Sequence, residues 1–196
     1  MALRNTQRLQ KMNLKWKMLK TVASNSCTHD NIITDALVTK GLNTEVWVGR
    51  VTLWGVIPLW KTASPPNVVM SLLEPKPSDC WPIVGTRGEI IIELSHRARV
   101  ECVSLEHIHP DSAQSAPKLF VLYGILENGT RIKTVEAEYQ NKEAAKQYYP
   151  LRHRNKSLKR FAFGVLSNHG NTKYTCIYRV HLYGKYITSS YIPTLK

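Results

Sequence analysis

Ser167–Gly184, which reads Ser-Asn-His-Gly-Asn-Thr-Lys-Tyr-Thr-Cys-Ile-Tyr-Arg-Val-His-Leu-Tyr-Gly, is the stretch that decides the fold. It opens on Asn168–Asn171, whose Asn, His and Gly residues tolerate positive φ and favour a turn. β-Branched and aromatic residues then alternate with a period of two, which predicts a strand. One face of that strand is predicted to carry the phenols of Tyr174 and Tyr178 and the thiol of Cys176, followed on the same face by Val180.

Further strands are predicted along the rest of the chain, separated by turn-forming residues and by no long helix. They cover Val68–Leu73, Glu89–Leu94, Val100–Ile108, Lys118–Leu126, Arg131–Tyr139 and Lys159–Leu166. This spacing favours an all-β fold, specifically an antiparallel β-sandwich. Two short segments have some helical character: Ile32–Val38, which fits one or two turns, and Asn141–Tyr148, which fits a loop excursion equally well.

The chain of 196 residues carries a formal charge of +13, which suits an acidic partner such as nucleic acid, anionic lipid or an acidic protein. It lacks the zinc-ligand spacing and the aromatic signature of nucleic-acid-binding modules, so direct nucleic-acid binding is not expected. The cysteines form no Cys-x-x-Cys pair, which argues against a zinc site. The N-terminus has no continuous apolar region typical of a signal peptide, and Val46–Trp60, the longest apolar stretch, is too short to span a membrane.

Three further motifs accompany the 167–184 stretch, namely Asp79-Cys80-Trp81, Leu105-Glu106-His107 and Ser115-Ala116-Pro117-Lys118. In this order the motifs resemble those of a SUN domain, the lumenal module of nuclear-envelope bridging complexes, over roughly Trp47–Tyr186. The resemblance implies an adaptor of the LINC complex that binds the C-terminal tail of KASH-domain proteins in the perinuclear space. It also implies a homotrimer on the perinuclear side of the inner nuclear membrane, associated with that membrane through a segment that is not evident in this chain.

Residues 1–23 are predicted to form a basic amphipathic helix, because apolar residues fall on one stripe flanked by lysines. In SUN proteins a coiled-coil stalk occupies this place. The helix is therefore interpreted as the end of such a stalk, with a membrane-interface helix and an ordinary terminal helix as alternatives. The family pattern then predicts a linker, short helix and β-hairpin lid over 24–53, with the hairpin in Glu45–Leu53. The sandwich follows over 54–188 and a tail over 189–196. The lid contains no cysteine, unlike family members that bond a partner thiol there.

The resemblance also implies a disulfide between Cys80 and Cys176, and hence an oxidising compartment. It places a potassium ion in the loop before Cys80. The ligands expected for this ion are Ser71, Glu74, Asp79 and Tyr178. Oxygen ligands suit such a hard, weakly charged cation. Sequons at Asn128 and Asn155 are candidate glycosylation sites.

By the same resemblance, the peptide-binding residues are His107, Ser115, Tyr174 and Tyr178. Two phenols, a hydroxyl and an imidazole can hydrogen-bond a peptide carboxylate and its backbone, while the lid adds the peptide as a strand. The set contains no carboxylate base, so catalysis is not expected. Cys102 and His107 could in principle act as a nucleophile and its base. They are five residues apart on one predicted strand, however, so they face opposite sides of the sheet and cannot hydrogen-bond directly.

Glycan binding is the alternative function, because β-sandwiches of this size include lectin-like modules. Three aromatic residues, which are expected to be exposed, are candidates for stacking against sugars, namely Trp81, Tyr123 and Tyr148.

Overall fold

A computed structural model of the protein describes Cys27 and residues 31–48, 50–53, 57–60, 64–108 and 114–187. Within these residues the strands are β1 (Ile32–Ile33), β2 (Ala36–Lys40), β3 (Arg50–Leu53), β4 (Ile57–Trp60), β5 (Trp81–Val84), β6 (Gly88–Glu106), β7 (Leu119–Ile125), β8 (Arg131–Glu138), β9 (Lys146–Pro150), β10 (Ser157–Val165), β11 (Tyr174–Ile177) and β12 (Arg179–Tyr186). Two 3-10 helices lie at Pro66–Met70 and Pro77–Asp79. The predicted N-terminal helix over 1–23 and the predicted tail over 189–196 lie outside the described residues.

Strand β6 organises the fold because it pairs with four other strands. Its first half pairs with β2 and β10, and its second half pairs with β9 and β12, all antiparallel. The pairing with β10 shifts register between Leu158 and Arg160, opposite the middle of β6. Each half of this one long strand therefore builds a different part of the sandwich.

The main sheet runs in the order β1-β12-β6-β10-β7-β8, with β2 and β9 added alongside β6. Its inner side chains form one large apolar cluster that includes Ile92, Val103 and Phe120. Phe120 on β7 stacks on Phe163 of β10 and meets Tyr149 of β9 edge-on, with ring centroids 5.2 and 4.8 Å apart. These contacts join strands from the two halves of β6 and confirm the antiparallel β-sandwich predicted from the strand spacing.

Two small sheets flank the main one. Strands β5 and β11 pair with each other, and so do β3 and β4. Just before β3, the backbone of Glu45–Trp47 runs along β5: the Trp47 amide donates to the Pro82 carbonyl, and the Val84 amide donates to the Glu45 carbonyl. The antiparallel pair of β3 and β4 reaches Trp60, past the residue-53 boundary expected for the lid.

Several local predictions were wrong because tertiary pairing and proline override local propensity. Ile32–Val38 contains two short strands instead of a helix, since β1 pairs with β12 and β2 with β6. Val68–Leu73 is not a strand: a 3-10 helix begins at Pro66, where proline supplies the φ that the first turn requires, and it buries Val69 and Met70. Of the two alternatives for Asn141–Tyr148, the structure has the loop, over Asn141–Ala145, and Lys146–Tyr148 already belong to β9. Strand β5 was not predicted.

No helix within the described ranges is both long enough and apolar enough to cross a bilayer.

Candidate functional site

The Cys80–Cys176 disulfide, implied by the family resemblance, is confirmed, with a Cα–Cα distance of 5.4 Å. Cys80 immediately precedes β5 and Cys176 lies in β11, so the bond joins the two strands of one small sheet. It also holds the loop before Cys80 against the strand that carries Tyr174. Two of the predicted sites, the cation loop and the peptide pocket, therefore share one covalent support.

His107 and Tyr178 lie in edge-to-face contact, with ring centroids 4.6 Å apart and planes inclined by 81°. The register of the main sheet explains this contact. Arg179, the first residue of β12, pairs with Glu106, the last residue of β6. His107 and Tyr178 are the next residues outward on the two strands, so they meet just beyond the last pair. Both side chains are buried, with 3% and 5% exposed.

His107 is held as a neutral imidazole. Burial lowers its pKa to about 4, and His169 adds a smaller repulsion. Its Nδ1–H donates to the carbonyl of Ile108 over 2.7 Å, so Nε2 carries the free lone pair. That Nε2 atom is buried and has no hydrogen-bond partner among the described residues. A buried acceptor without a partner is costly, and it is suited to an incoming N–H or O–H donor.

Tyr174 is the first residue of β11, and Ser115 lies beside that strand. The Ser115 carbonyl accepts a hydrogen bond from the Cys176 amide over 2.8 Å. The Tyr174 ring stacks on Trp47, with centroids 4.5 Å apart and planes inclined by 29°. Both Ser115 and Tyr174 are half-buried, so each residue is partly accessible to solvent. The structure thus places Ser115, Tyr174 and Tyr178 along β11 and its end, with His107 against Tyr178.

Trp47 belongs to this site although its sequence context did not single it out. Backbone hydrogen bonds to β5 position it, and β5 in turn pairs Val84 with Tyr174. The signal in the sequence was only a tryptophan within a predicted strand. Its contact with Tyr174 depends on the pairing of segments more than 100 residues apart, which no local pattern records.

Ser115 and Tyr174 offer hydroxyl donors and His107 offers one imidazole acceptor, whereas the Tyr178 hydroxyl already donates to the carbonyl of Pro77 over 3.4 Å. Burial is the main cause that raises the pKa of Tyr178 to about 12, so this phenol keeps its proton at neutral pH. Hydroxyls of Ser115 and Tyr174 can donate to a carboxylate, whereas the free lone pair of His107 can accept from an N–H or O–H group. This combination matches the free end of a peptide, which has a carboxylate beside a backbone amide.

Arg179 organises the loop that precedes Cys80. Its guanidinium group is 1% exposed, and it donates to the carbonyls of Leu73, Val68 and Tyr178 and to the carboxylate of Asp79. The Arg179–Asp79 contact is 2.6 Å long, and this hydrogen bond is the main cause that lowers the pKa of Asp79. A buried guanidinium therefore fixes the loop from the side of β12.

His181, two residues further along β12, forms a second hydrogen-bonded contact with the loop. Its Nε2–H donates to the carbonyl of Ser71 over 2.9 Å, and its Nδ1 is buried without a partner among the described residues. Burial lowers the pKa of His181 to about 4, so it is also neutral.

The expected potassium ligands can be compared with these contacts. The carbonyl oxygens of Ser71 and Tyr178 already accept one hydrogen bond each, but a carbonyl oxygen has a second lone pair. The Asp79 carboxylate is engaged by Arg179, and Glu74 is exposed. The backbone oxygens therefore fit a cation better than the acidic side chains do, and the potassium site stays a prediction. In the described part of the chain, no cluster of three His, Cys, Asp or Glu residues could hold a metal ion.

A second disulfide joins Cys27 to Cys102, with a Cα–Cα distance of 5.9 Å. It was not predicted, because the two residues lie 75 positions apart in no recognisable motif. Cys102 consequently has no free thiol, and the Cys102–His107 pair weighed as a nucleophile and base does not exist in this fold. Among the described residues, no cysteine is free.

Comparison with known proteins agrees with this geometry. Residues 59–186 match the family described as Sad1 / UNC-like C-terminal. The chain belongs to this family. It is 34% identical over 142 residues to human SUN domain-containing protein 5 and 32% identical over 150 residues to mouse SUN domain-containing protein 2. These matches cover 67% and 72% of the chain but only 36% and 20% of the two relatives. The SUN-family chain thus spans about a third or less of these relatives.

Solved structures of similar fold include carbohydrate-binding modules. The family 32 module from Streptococcus pneumoniae EndoD aligns with a TM-score of 0.56 at 18% identity, covering 79% of this chain and 99% of that one. CpGH89CBM32-5 from Clostridium perfringens, in complex with a GalNAc-galactose disaccharide, aligns with a TM-score of 0.55 at 9% identity, covering 78% and 99%. At such identities the likeness shows a shared fold alone.

The aromatic residues considered for glycan stacking do not form an exposed platform. Trp81 is 1% exposed and lies in the core, so the expectation that it is exposed was wrong. Tyr148 meets Tyr183 edge-on, and Tyr123 is half-buried on β7. The two sequon residues, Asn128 and Asn155, are exposed in turns.

Proposed function

We propose that this SUN-family chain is a nuclear-envelope adaptor that grips the C-terminal tail of a KASH-domain protein in the perinuclear space. As part of a LINC complex it would link the nucleus to the cytoskeleton, acting as a homotrimer from the inner nuclear membrane and without catalysis. The observation that carries the proposal is the arrangement of Ser115, Tyr174 and Tyr178 along β11. Beside Tyr178 lies the Nε2 atom of His107, which has no hydrogen-bond partner within the described part of the chain.

The chemistry of binding follows from the charge states of these groups. A terminal carboxylate only accepts hydrogen bonds, so its partners are the Ser115 and Tyr174 hydroxyls. The preceding backbone amide of the peptide is a donor, and it suits the neutral Nε2 of His107. Among the described strands, β3 and β4 pair only with each other, so each has an outer edge to which an extended peptide can add as a strand.

The test is a binding titration of the full chain with a labelled KASH tail peptide that ends in a free carboxylate. The same peptide with an amidated end, and one extended by a single residue, serve as ligand controls. Tyr174→Phe removes one hydroxyl donor to a charged group, so we expect its affinity to fall by about 1–2 kcal/mol, or about 5- to 30-fold. Tyr123→Phe is the matched control, since Tyr123 lies on β7, which contributes none of the four residues.

Two results would argue against the proposal. Equal binding of the free-acid and amidated peptides would mean that the carboxylate is not recognised. Full affinity in Tyr174→Phe would remove that phenol from the pocket. The homotrimer is tested separately by measuring the mass of the full chain in solution by light scattering.

A further inference from the structure

The two disulfides of this chain interleave along the sequence. Cys80 lies inside the loop closed by Cys27 and Cys102, and Cys102 lies inside the loop closed by Cys80 and Cys176. Both Cys27 and Cys102 are buried, with Tyr183 beside them in a small second apolar cluster. The segment upstream of Cys27 is therefore attached covalently to β6, the strand with the most partners in the sheet.

Without that bond, tension that enters the described part of the chain at Cys27 would first reach two short strands at the edge of the sheet. β1 contributes two residue pairs with β12, and β2 then contributes five with β6. Tension on the N-terminal side would separate such edge strands pair by pair. In contrast, β6 from Cys102 to Glu106 is paired with β12 on one side and with β9 on the other. Loosening β6 at this point requires both ladders to fail together.

We propose that the Cys27–Cys102 disulfide is a mechanical anchor. Tension from the upstream segment passes at Cys27 directly into β6 at Cys102 and bypasses β1 to β4. Five residues beyond Cys102, β6 leads to His107 in the candidate peptide pocket. The purpose of the anchor rests on the proposed adaptor function, in which a bound tail would load the pocket. The mechanical property itself belongs to the fold and is measured without a partner.

The experiment stretches the full chain between tags at its two termini in optical tweezers under non-reducing conditions. With both bonds intact, the unfolded chain between Cys27 and Cys176 extends only through the stretch from Cys80 to Cys102, about 22 residues or roughly 75 Å. In a C27A/C102A variant the path becomes about 53 residues, or roughly 190 Å. In the matched C80A/C176A control it becomes about 74 residues, or roughly 260 Å.

The variant should also show an extra early step at low force. Release of β1 and β2, from Cys27 to Gly41, frees about 14 residues, or roughly 50 Å, before the sandwich unfolds. The wild-type chain should lack this step, because the anchor removes these strands from the load path. The same early step in the oxidised wild type, or a wild-type extension equal to that of C27A/C102A, would overturn the proposal.

Two further readings keep the result interpretable. If C27A/C102A fails to fold, the extension of the wild-type chain alone tests the proposal. That extension stays at about 75 Å only if both disulfides carry the tension. Peptide titration of the same variant separates the two proposals. Wild-type affinity together with the early step supports both, and absence of peptide binding in every variant including wild type would reject the adaptor function while leaving the anchor intact.

Discussion

Acidification should destabilise this fold through two buried histidines. His107 and His181 are neutral in the folded chain because burial lowers the pKa of each to about 4, whereas each titrates near 6.5 when unfolded. At a pH between the folded and unfolded pKa values, each histidine is protonated in the unfolded chain but not in the folded chain. Stability is therefore complete above about pH 6.5 and is lost as the pH falls from there toward 4.

The size of the effect follows from the same pKa values. Each pH unit of the window is worth about 1.4 kcal/mol per group, so at pH 5 each histidine costs about 2 kcal/mol and the pair about 4. That is a large share of the 5–15 kcal/mol, roughly, that stabilises a typical domain. Asp79 does not contribute in this range, because its pKa lies below its ordinary value and its effect is felt only at lower pH.

The assay is urea unfolding of the oxidised chain at pH 7.5 and at pH 5. We expect the free energy of unfolding to fall by about 4 kcal/mol in the wild type and by about 2 in either His107→Gln or His181→Gln. His96→Gln, at an exposed position, should keep the wild-type pH dependence. Equal stability at the two pH values, or a full pH dependence in both buried-site variants, would refute the assignment of neutral buried imidazoles.

Three further predictions concern the loop before β5. Asp79→Asn leaves the buried Arg179 guanidinium without its counter-charge and should destabilise the chain by about 3 kcal/mol, read as a lower urea midpoint; an unchanged midpoint would show that the pair is not needed. C80A/C176A should lower the free energy of unfolding by about 2–4 kcal/mol relative to wild type under oxidising conditions. When both chains are reduced before unfolding, their free energies of unfolding should become equal. Replacing potassium by choline at constant ionic strength should lower the melting temperature if the backbone oxygens of Ser71 and Tyr178 bind the cation, whereas coincident melting curves would reject the site.

Much of the strand content was predictable because β-branched and aromatic residues alternate along most of the chain. Strands β7, β8 and β10 match the predicted segments to within one or two residues at each end. The predictions for Glu89–Leu94 and Val100–Ile108 were correct in type, but the structure joins them into one strand. Their separation in the sequence reflects the polar residues in the middle of β6, where the pairing with β10 shifts register.

The candidate site was only partly accessible to sequence reasoning. His107, Ser115, Tyr174 and Tyr178 were identified by resemblance of motifs, and their binding role stays a prediction. Arg179 was visible as part of the same motif, but its burial and its hydrogen bonds to Val68, Leu73 and Asp79 were not.

By itself, the sequence determined that this is an antiparallel all-β chain of the SUN type, because period-two patterning and short motifs are local properties. The tertiary structure alone decided which distant segments meet: Cys27 with Cys102, Trp47 with Tyr174, and Arg179 with the loop at Asp79. Such contacts depend on sheet order and register, which arise from burying all strands around one core at once. No short window of residues carries that information, so covalent anchoring and the protonation state of His107 became visible only in the folded chain.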